Sequence, residues 1–340
     1  MLRIEPQALA SDDDLRTALQ NAIALEHSTI PPYLTAMLTL SGTSDSVEYA
    51  RNEITEVIFE EMMHMTLACN ILNAIGGEPM IADANFIPTY PGTLPMGVAG
   101  DLQVGLRRYS KALIENTFMK IEEPETVLPI PERRAAAVGE PITIGQFYAG
   151  IRARIDGHPE LFTGDDERQV SGMLDGDFPV TDVRSALLAI DTIVEQGEGT
   201  SKSPLDLQQD VAHFYSFQQF SKGMHIVHDD SSEFTVSFDP QQPITIDDDA
   251  DVIPMVDDPP LVTYEAADAR AEELSVKADV LYSDLLHGLD RGFNGDLTGL
   301  TTAVSKMRGL QTAVKNLLKV QLTAGPFAGQ FAGPRFRFVQ

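Results

Sequence analysis

The sequence predicts an all-α protein: a helical bundle with long irregular crossovers and additional helices towards the C-terminus. Two observations indicate this class. Apolar residues recur at three- and four-residue spacing through the segments 12–27 and 47–74, which is the pattern of a buried helix face. Serine, glycine and proline then occur at the ends of these segments, where helices commonly stop.

The first helix is expected to begin at 12–14, where three aspartates offer an N-cap and favourable charge for the helix dipole. Its inward face comprises Leu15, Leu19, Ile23 and Glu26. The Pro31–Pro32 pair is expected to break or kink this helix, because proline lacks the backbone N–H. A second long helix over 47–74 is expected to stop at Gly76–Gly77.

The later elements are predicted to be shorter. Helices are expected at 104–122, 142–155, 181–195, 203–223, 263–289 and 296–322. Residues 78–100 are rich in proline and glycine and predict an ordered, irregular crossover, while 229–262 predict extended segments or a small hairpin. We therefore divide the chain into a bundle over 1–228 and a region over 229–340 whose helices pack against it.

Composition excludes several classes of partner. The chain has 24 basic and 51 acidic residues, a net charge of -27, which repels nucleic acid and anionic lipid. The sequence shows neither a signal peptide nor an apolar run near the ~20 residues of a membrane span. The single cysteine, Cys69, fits a buried thiol in a reducing compartment. We expect a cytoplasmic protein that binds a small-molecule substrate and forms a homodimer.

Two carboxylate-x-x-histidine pairs carry the chemical prediction. Glu61 and His64 share a helix face, and Asp210 and His213 have the same spacing. Glu26 lies on an otherwise apolar face, where an unpaired charge is costly. Two such pairs with lone carboxylates from other helices form the site of di-iron and di-manganese bundles. Taken singly, each pair also fits a solvated helix surface, and Asp210 fits an acid near a helix N-terminus.

Several strings resemble a known family. They are LEHSTIPPYLTAM, EEMMHMTLACNILNAIGGEP, NFIPTYPGTLPMGV, TIGQFYAGI and DVAHFYSF. Together they span about residues 15–230 and resemble the ferritin-like domain of the iminophenyl-pyruvate dimer synthase family. Members of that family include enzymes that couple two oxidised tryptophan-derived imines, and those enzymes are much longer proteins. The resemblance implies a ferritin-like four-helix bundle.

The resemblance also implies a set of metal ligands. These are Glu26, Glu61, His64 and His213, with Gln146 and Asp210 at two further ligand positions. The family usually has glutamate at both further positions, so an amide and a shorter acid leave one ion or two open. Glu115 and Glu122 are alternative carboxylates, although Glu122 also fits a helix-end acid. The expected metal is divalent, with iron first and manganese or zinc as alternatives.

Other polar residues have less specific interpretations. His27 adjoins Glu26 but points about 100° away around the helix, so we interpret it as a surface histidine, with a hydrogen-bonding role near the site as the alternative. Tyr33, Tyr148 and Tyr215 fit either hydrogen bonding to the site or helix packing. The expected function is a metal-dependent oxidoreductase or oxidative coupling enzyme acting on a small aromatic or amino-acid-derived substrate. The alternative is a non-catalytic metal- or ligand-binding protein with a degraded di-metal site.

Overall fold

The first two elements of the fold are long helices. The computed structural model describes residues 9–124, 142–164, 166–199, 203–206, 208–229, 235–264 and 268–339. Helices α1 (Asp12–Thr39) and α2 (Asp45–Ala74) pack against each other. Each begins after a serine N-cap, Ser11 or Ser44, whose side chain accepts a backbone N–H of the first turn.

Shorter elements complete the fold. They are α3 (Lys111–Leu113), a π-helical segment (Ile114–Phe118), α4 (Met119–Ile121), α5 (Ile144–Ile155), α6 (Val183–Glu198) and α7 (His213–Lys222). An antiparallel hairpin of β1 (Met224–His228) and β2 (Val236–Pro243) follows, and then a helical hairpin of α8 (Ala269–Phe293) and α9 (Leu297–Leu317). Short 3-10 turns lie at Pro95–Gly97, Pro159–Leu161, Asp166–Arg168 and Pro259–Leu261. The predicted all-α class, with irregular crossovers and additional C-terminal helices, is confirmed.

One hydrophobic core runs through the bundle and into the C-terminal hairpin. Leu19 and Ile71 of the long helices belong to the same buried cluster as Leu286 and Leu310 of α8 and α9. Cys69 is also buried there as a free thiol, as the sequence predicts. The boundary near residue 228 stays a prediction. Within the described ranges, no helix combines the length and the hydropathy needed to cross a membrane.

The Pro31–Pro32 pair does not break α1, so the predicted break is wrong. Pro32 cannot donate to the carbonyl of Ser28, four residues earlier. That carbonyl instead accepts the hydroxyl of Tyr90 at 2.7 Å, so the missing helical hydrogen bond is replaced. As a result α1 continues past the prolines, and Tyr33 lies on the same helix as Glu26.

Helix α7 begins well inside the predicted segment 203–223. The carboxylate of Asp206 accepts the backbone N–H groups of Gln208 and Asp210, each at 2.9 Å. Such side-chain hydrogen bonds stabilise a turn in competition with a helix. Asp210 therefore lies exposed before the helix, and the prediction that it shares a helix face with His213 is wrong.

The predicted helix over 104–122 is shorter and irregular. Residues 104–110 lie outside any helix, and the π-helical segment occupies the middle of the remainder. A π-bulge adds a residue to a turn and changes which residues after it face inward, and such bulges are frequent at functional sites. Glu122 follows at the C-cap of α4, 2% exposed.

His27 is buried, 4% exposed, so its interpretation as a surface histidine is wrong. Helix α8 covers this face of α1: the Tyr282 hydroxyl lies 2.9 Å from Nε2 of His27. The ring of Phe86 packs against the imidazole, with centroids 4.9 Å apart. Burial lowers the pKa of His27 to about 4. The covering helix is distant in the chain, so local spacing around His27 could not indicate it.

His27→Gln should make the stability of the metal-free protein less sensitive to acid. In the unfolded chain His27 protonates near pH 6.5, whereas in the folded protein it stays neutral down to about pH 4. The unfolded state therefore binds more protons in this window, and stability falls as the pH falls through it. Between pH 6.5 and about pH 4, the free energy of unfolding of the wild type should fall by about 3 kcal/mol more than that of the variant. Urea denaturation at both pH values checks this, and equal losses would contradict a buried neutral histidine.

Candidate metal centre

Five buried side chains meet inside the bundle. They are Glu26 on α1, Glu61 and His64 on α2, Glu122 after α4, and His213 at the start of α7. They form two groups, Glu26–Glu61–His64 and Glu61–Glu122–His213, within each of which one ligand atom per residue lies within 4.8 Å of the others. Glu61 belongs to both groups, so the two form one continuous centre.

The distances place one oxygen of Glu61 between the two imidazoles. Its Oε1 atom lies 3.8 Å from Nδ1 of His64 and 3.0 Å from Nδ1 of His213. The outer carboxylates complete the groups: Glu26 lies 3.6 Å from Nδ1 of His64, and Glu122 lies 3.6 Å from Nδ1 of His213. The two rings are 5.6 Å apart between centroids. Three carboxylates and two imidazole nitrogens thus converge on a space of a few ångströms.

Each histidine is held from outside by its other nitrogen. Nε2 of His64 lies 2.8 Å from the side-chain oxygen of Gln196, and Nε2 of His213 lies 2.8 Å from a carboxylate oxygen of Glu60. An oxygen acceptor at Nε2 fixes the tautomer in which Nδ1 carries a lone pair. Nδ1 of His213 is buried and makes no hydrogen bond of good angle within the described residues. A buried, unpaired nitrogen among carboxylates fits a divalent metal ligand.

Hydroxyl groups hold the carboxylates in a similar way. Tyr148 on α5 donates to Glu26 at 2.6 Å, and Tyr33 on α1 donates to Glu122. The hydroxyl of Thr29, one turn after Glu26, lies 2.6 Å from Glu61. The prediction left these two tyrosines open between packing and hydrogen bonding, and the structure shows both to be hydrogen-bonded. Each carboxylate is thus oriented before any ligand binds.

The electrostatics show a centre that needs positive charge. Burial, together with the charge of Glu122, raises the pKa of Glu61 to about 7. Burial alone would lower the pKa of His213, but Glu122, Glu60 and Glu61 outweigh it and raise that pKa well above the usual value. The pKa of His64 is also raised, because Glu26 and Glu61 outweigh its burial. Without an ion, protons supply this charge, so metal binding must displace them and strengthens as the pH rises.

Two of the six predicted ligands lie outside both groups. The side-chain oxygen of Gln146 accepts the backbone N–H of Thr143 and caps its own helix, α5. Tyr148 lies two residues later, about 200° around that helix, and it is Tyr148 that faces Glu26. Asp210 is exposed in the turn before α7. The other four predicted residues, Glu26, Glu61, His64 and His213, are brought together, and their ligation of a metal stays a prediction.

Glu122 is the group member that the sequence interpretation undervalued. The following Glu123–Pro124 pair is typical of a helix end, and Glu122 is indeed the C-cap residue of α4. Its carboxylate is nevertheless buried, because α1 and α7 pack over it. Glu115, the other alternative, is half-buried and accepts the hydroxyl of Ser221 at 3.0 Å. Phe118 lies four residues before Glu122 and is an apolar residue. Its position indicates that this face of the helix points into the bundle, where Phe118 is buried.

Glu60→Gln should weaken metal binding at the Glu61–Glu122–His213 group by about 10- to 100-fold. An amide can still accept from Nε2 of His213, but it carries no charge to strengthen the histidine as a ligand. Gln196→Glu is the mirror variant and should tighten binding at the other group. Calorimetric titration of the metal-free proteins with Mn²⁺ measures both effects. Unchanged binding in Glu60→Gln would show that the carboxylate only orients the ring.

Known proteins share this architecture. The ferritin-like family profile matches residues 19–222. Dichlorochromopyrrolate synthase of Lentzea aerocolonigenes is 28% identical over an alignment of 187 residues, and the match covers 49% of this chain and 18% of that enzyme. The crystal structure of a ferritin-like protein from Caulobacter vibrioides aligns with a TM-score of 0.62 and 21% identity, covering 93% of this chain and 96% of that one. The predicted ferritin-like fold is thereby confirmed, and the chain belongs to the ferritin-like family.

Proposed function

We propose that this protein is a non-haem metal-dependent oxidoreductase whose centre binds two divalent ions. The observation that carries the proposal is Glu61, a buried carboxylate common to both three-residue groups. A carboxylate common to both groups would help to hold both ions, with one histidine for each. Glu26 and His64 would complete one site, and Glu122 and His213 the other. Carboxylates and imidazoles suit iron, which we propose, with manganese or zinc as alternatives.

Glu122 removes the reason for assigning a single ion. The hypothesis of a reduced or degraded site rested on the amide at Gln146 and the short acid at Asp210, and both lie outside the two groups. Glu122 supplies a carboxylate of full length instead. The non-catalytic alternative loses this support for the same reason.

Bound iron or manganese would supply the redox chemistry. The chain's own residues would orient the carboxylates and exclude water. Burial raises the pKa of Tyr33 and of Tyr148, and the adjacent charges of Glu122 and Glu26 raise them further. Both tyrosines therefore remain protonated donors to carboxylate oxygens. In this role they hold Glu122 and Glu26 in fixed orientations, and the buried surroundings keep bulk water from the centre.

The proposed substrate is a small aromatic or amino-acid-derived molecule. The support is the likeness to dichlorochromopyrrolate synthase over 187 residues. Because the match spans less than a fifth of that enzyme's length, the substrate is proposed more broadly than any single relative's reaction.

Elemental analysis and oxygen uptake test the proposal. Protein from cells supplied with iron and manganese should contain two ions per chain. Addition of Fe(II) to the metal-free protein should consume oxygen in the wild type and not in Glu61→Ala. Asp210→Ala, which removes an exposed carboxylate outside the groups, is the matched control and should behave as the wild type. A wild type without metal, or equal uptake in wild type and Glu61→Ala, would contradict the proposal.

A further inference from the structure

A second internal space lies on another face of the α1–α2 pair. It is a cavity of ≈ 160 Å³ between these helices and the C-terminal hairpin. Apolar side chains of all four helices line it, among them Leu34, Met62, Leu285 and Met307. On α1, Glu26 and Tyr33 face the candidate metal centre, whereas their neighbours His27 and Leu34 line this cavity. The two spaces are therefore separate.

The cavity has an apolar mouth. Phe59 and Met173 line it and are 45% and 47% exposed. Large apolar side chains that remain so exposed beside a cavity are typical of a ligand-binding entrance. The hydroxyls of Thr55 and Thr66, which also line the cavity, donate to backbone carbonyls of their own helix. Neither threonine thus offers its proton to a ligand.

Two further polar features line the wall: Gln311, which is partly exposed to solvent, and the buried pair of His27 and Tyr282. Nδ1 of His27 is buried and has no hydrogen-bond partner among the described residues, while Nε2 is paired with the hydroxyl of Tyr282. If the tyrosine donates, Nδ1 carries a free N–H. If Nε2 donates, the free proton is that of the tyrosine hydroxyl. Either arrangement leaves one donor unused in an apolar site, and an unused buried donor is costly.

The charge balance excludes an ionic ligand. No Asp, Glu, Lys or Arg of the described residues lines the cavity. A charged ligand would therefore enter without a counter-charge, which is strongly unfavourable. The net charge of -27 further disfavours an anion.

We infer that this cavity binds a small uncharged molecule, about the size of one aromatic ring, whose single oxygen accepts a hydrogen bond from the His27–Tyr282 pair. The size follows from comparison with an engineered apolar cavity of about 150 Å³ in another protein, which takes up benzene. The inference is independent of the proposed metal chemistry, because none of its residues belongs to the candidate metal centre.

Three probes on the intact wild-type protein test the inference. Phenol should bind at one molecule per chain, roughly tenfold more tightly than toluene, since only phenol satisfies the free donor. Benzoate, which is charged, should not bind. Calorimetry gives affinities and stoichiometry, and crystals soaked in phenol should show the ring between α1 and α8. Binding of neither neutral probe, or benzoate binding as tightly as phenol, would overturn the inference.

Two variants locate the site. Val304→Trp places a large side chain in the cavity from the half-buried face of α9 and should abolish binding of both neutral probes. His27→Leu should keep toluene binding and lose the preference for phenol. Circular dichroism and metal content serve as controls for folding. Unchanged phenol binding in Val304→Trp would overturn the inference. A dimer seen by sedimentation, together with loss of phenol binding in that dimer, would also overturn it.

Discussion

Glu61→Gln should abolish binding of both divalent ions. Its carboxylate is common to both groups and lies between the two histidines, with Oε1 at 3.8 Å and 3.0 Å from their Nδ1 atoms. The amide has the same shape and can still hydrogen-bond to Thr29, which lies 2.6 Å away. The amide differs from the carboxylate by the missing negative charge and by one missing oxygen ligand. A side chain that holds both ions needs the charge and both oxygens. The loss is therefore expected at both sites rather than one.

The same substitution should stabilise the metal-free protein at neutral and alkaline pH. Burial and Glu122 raise the pKa of Glu61 from 4.5 to about 7 in the folded state. Between these values the folded state holds more protons than the unfolded state, so its stability falls as the pH rises. Glutamine does not titrate and avoids this loss, which amounts to a few kcal/mol at most. At pH 4 the difference should vanish.

Thermal unfolding after chelation, at pH 4 and pH 8, measures this second effect, and elemental analysis measures the first. Adding Mn²⁺ at pH 8 should reverse the order of melting temperatures, because only the wild type gains binding energy. Asp210→Asn is the matched control and should leave both measurements unchanged. Retention of one tightly bound ion by Glu61→Gln would show that Glu61 is not needed at both sites.

Glu122→Ala should reduce the bound ions from two per chain to one. Its carboxylate lies 3.6 Å from Nδ1 of His213 and belongs to only one of the two groups. The remaining ion should sit with Glu26, Glu61 and His64. The hydroxyl of Tyr33 also loses its acceptor, so a modest loss of stability is expected. Glu122→Gln keeps that hydrogen bond and separates the two effects.

Gln146→Ala is the control for Glu122→Ala and tests the ligand positions implied by family resemblance. Its side chain caps α5 through Thr143. Its removal should therefore lower the stability by about 1 kcal/mol and leave the number of bound ions unchanged. Metal titration followed by electron paramagnetic resonance of Mn²⁺ distinguishes coupled from isolated ions in these variants. Loss of an ion in Gln146→Ala with retention in Glu122→Ala would reverse our assignment.

Much of the bundle follows from local patterns in the sequence. The apolar spacing that predicts α1 and α2 is set by the geometry of the helix itself. Glu61 and His64 are neighbours for the same reason, since residues three apart share a face on any helix. The strings around them then indicated the ferritin-like family, which the match over 19–222 confirms.

The errors arose where a hydrogen bond or a packing contact competed with the pattern of apolar spacing. The carbonyl of Ser28, freed by Pro32, is satisfied by Tyr90 on the distant crossover. Asp210 fails as a helical residue because Asp206 captures its backbone N–H. His27 is covered by Tyr282 of α8. In each case the decisive partner is a hydrogen bond or a packing surface that no periodicity reveals.

The sequence by itself determined the two long helices, the family and the pairing of Glu61 with His64, because helix geometry acts over a few residues. Only the tertiary structure places the carboxylate of Glu122 in one of the two groups and the side chains of Gln146 and Asp210 outside them. The side chains meet because helix packing points one face of each helix towards the same place. The helices concerned are α1, α2, α4 and α7. A carboxylate there is stable only when hydroxyls and histidines from other helices surround it, so its position is a property of the folded protein.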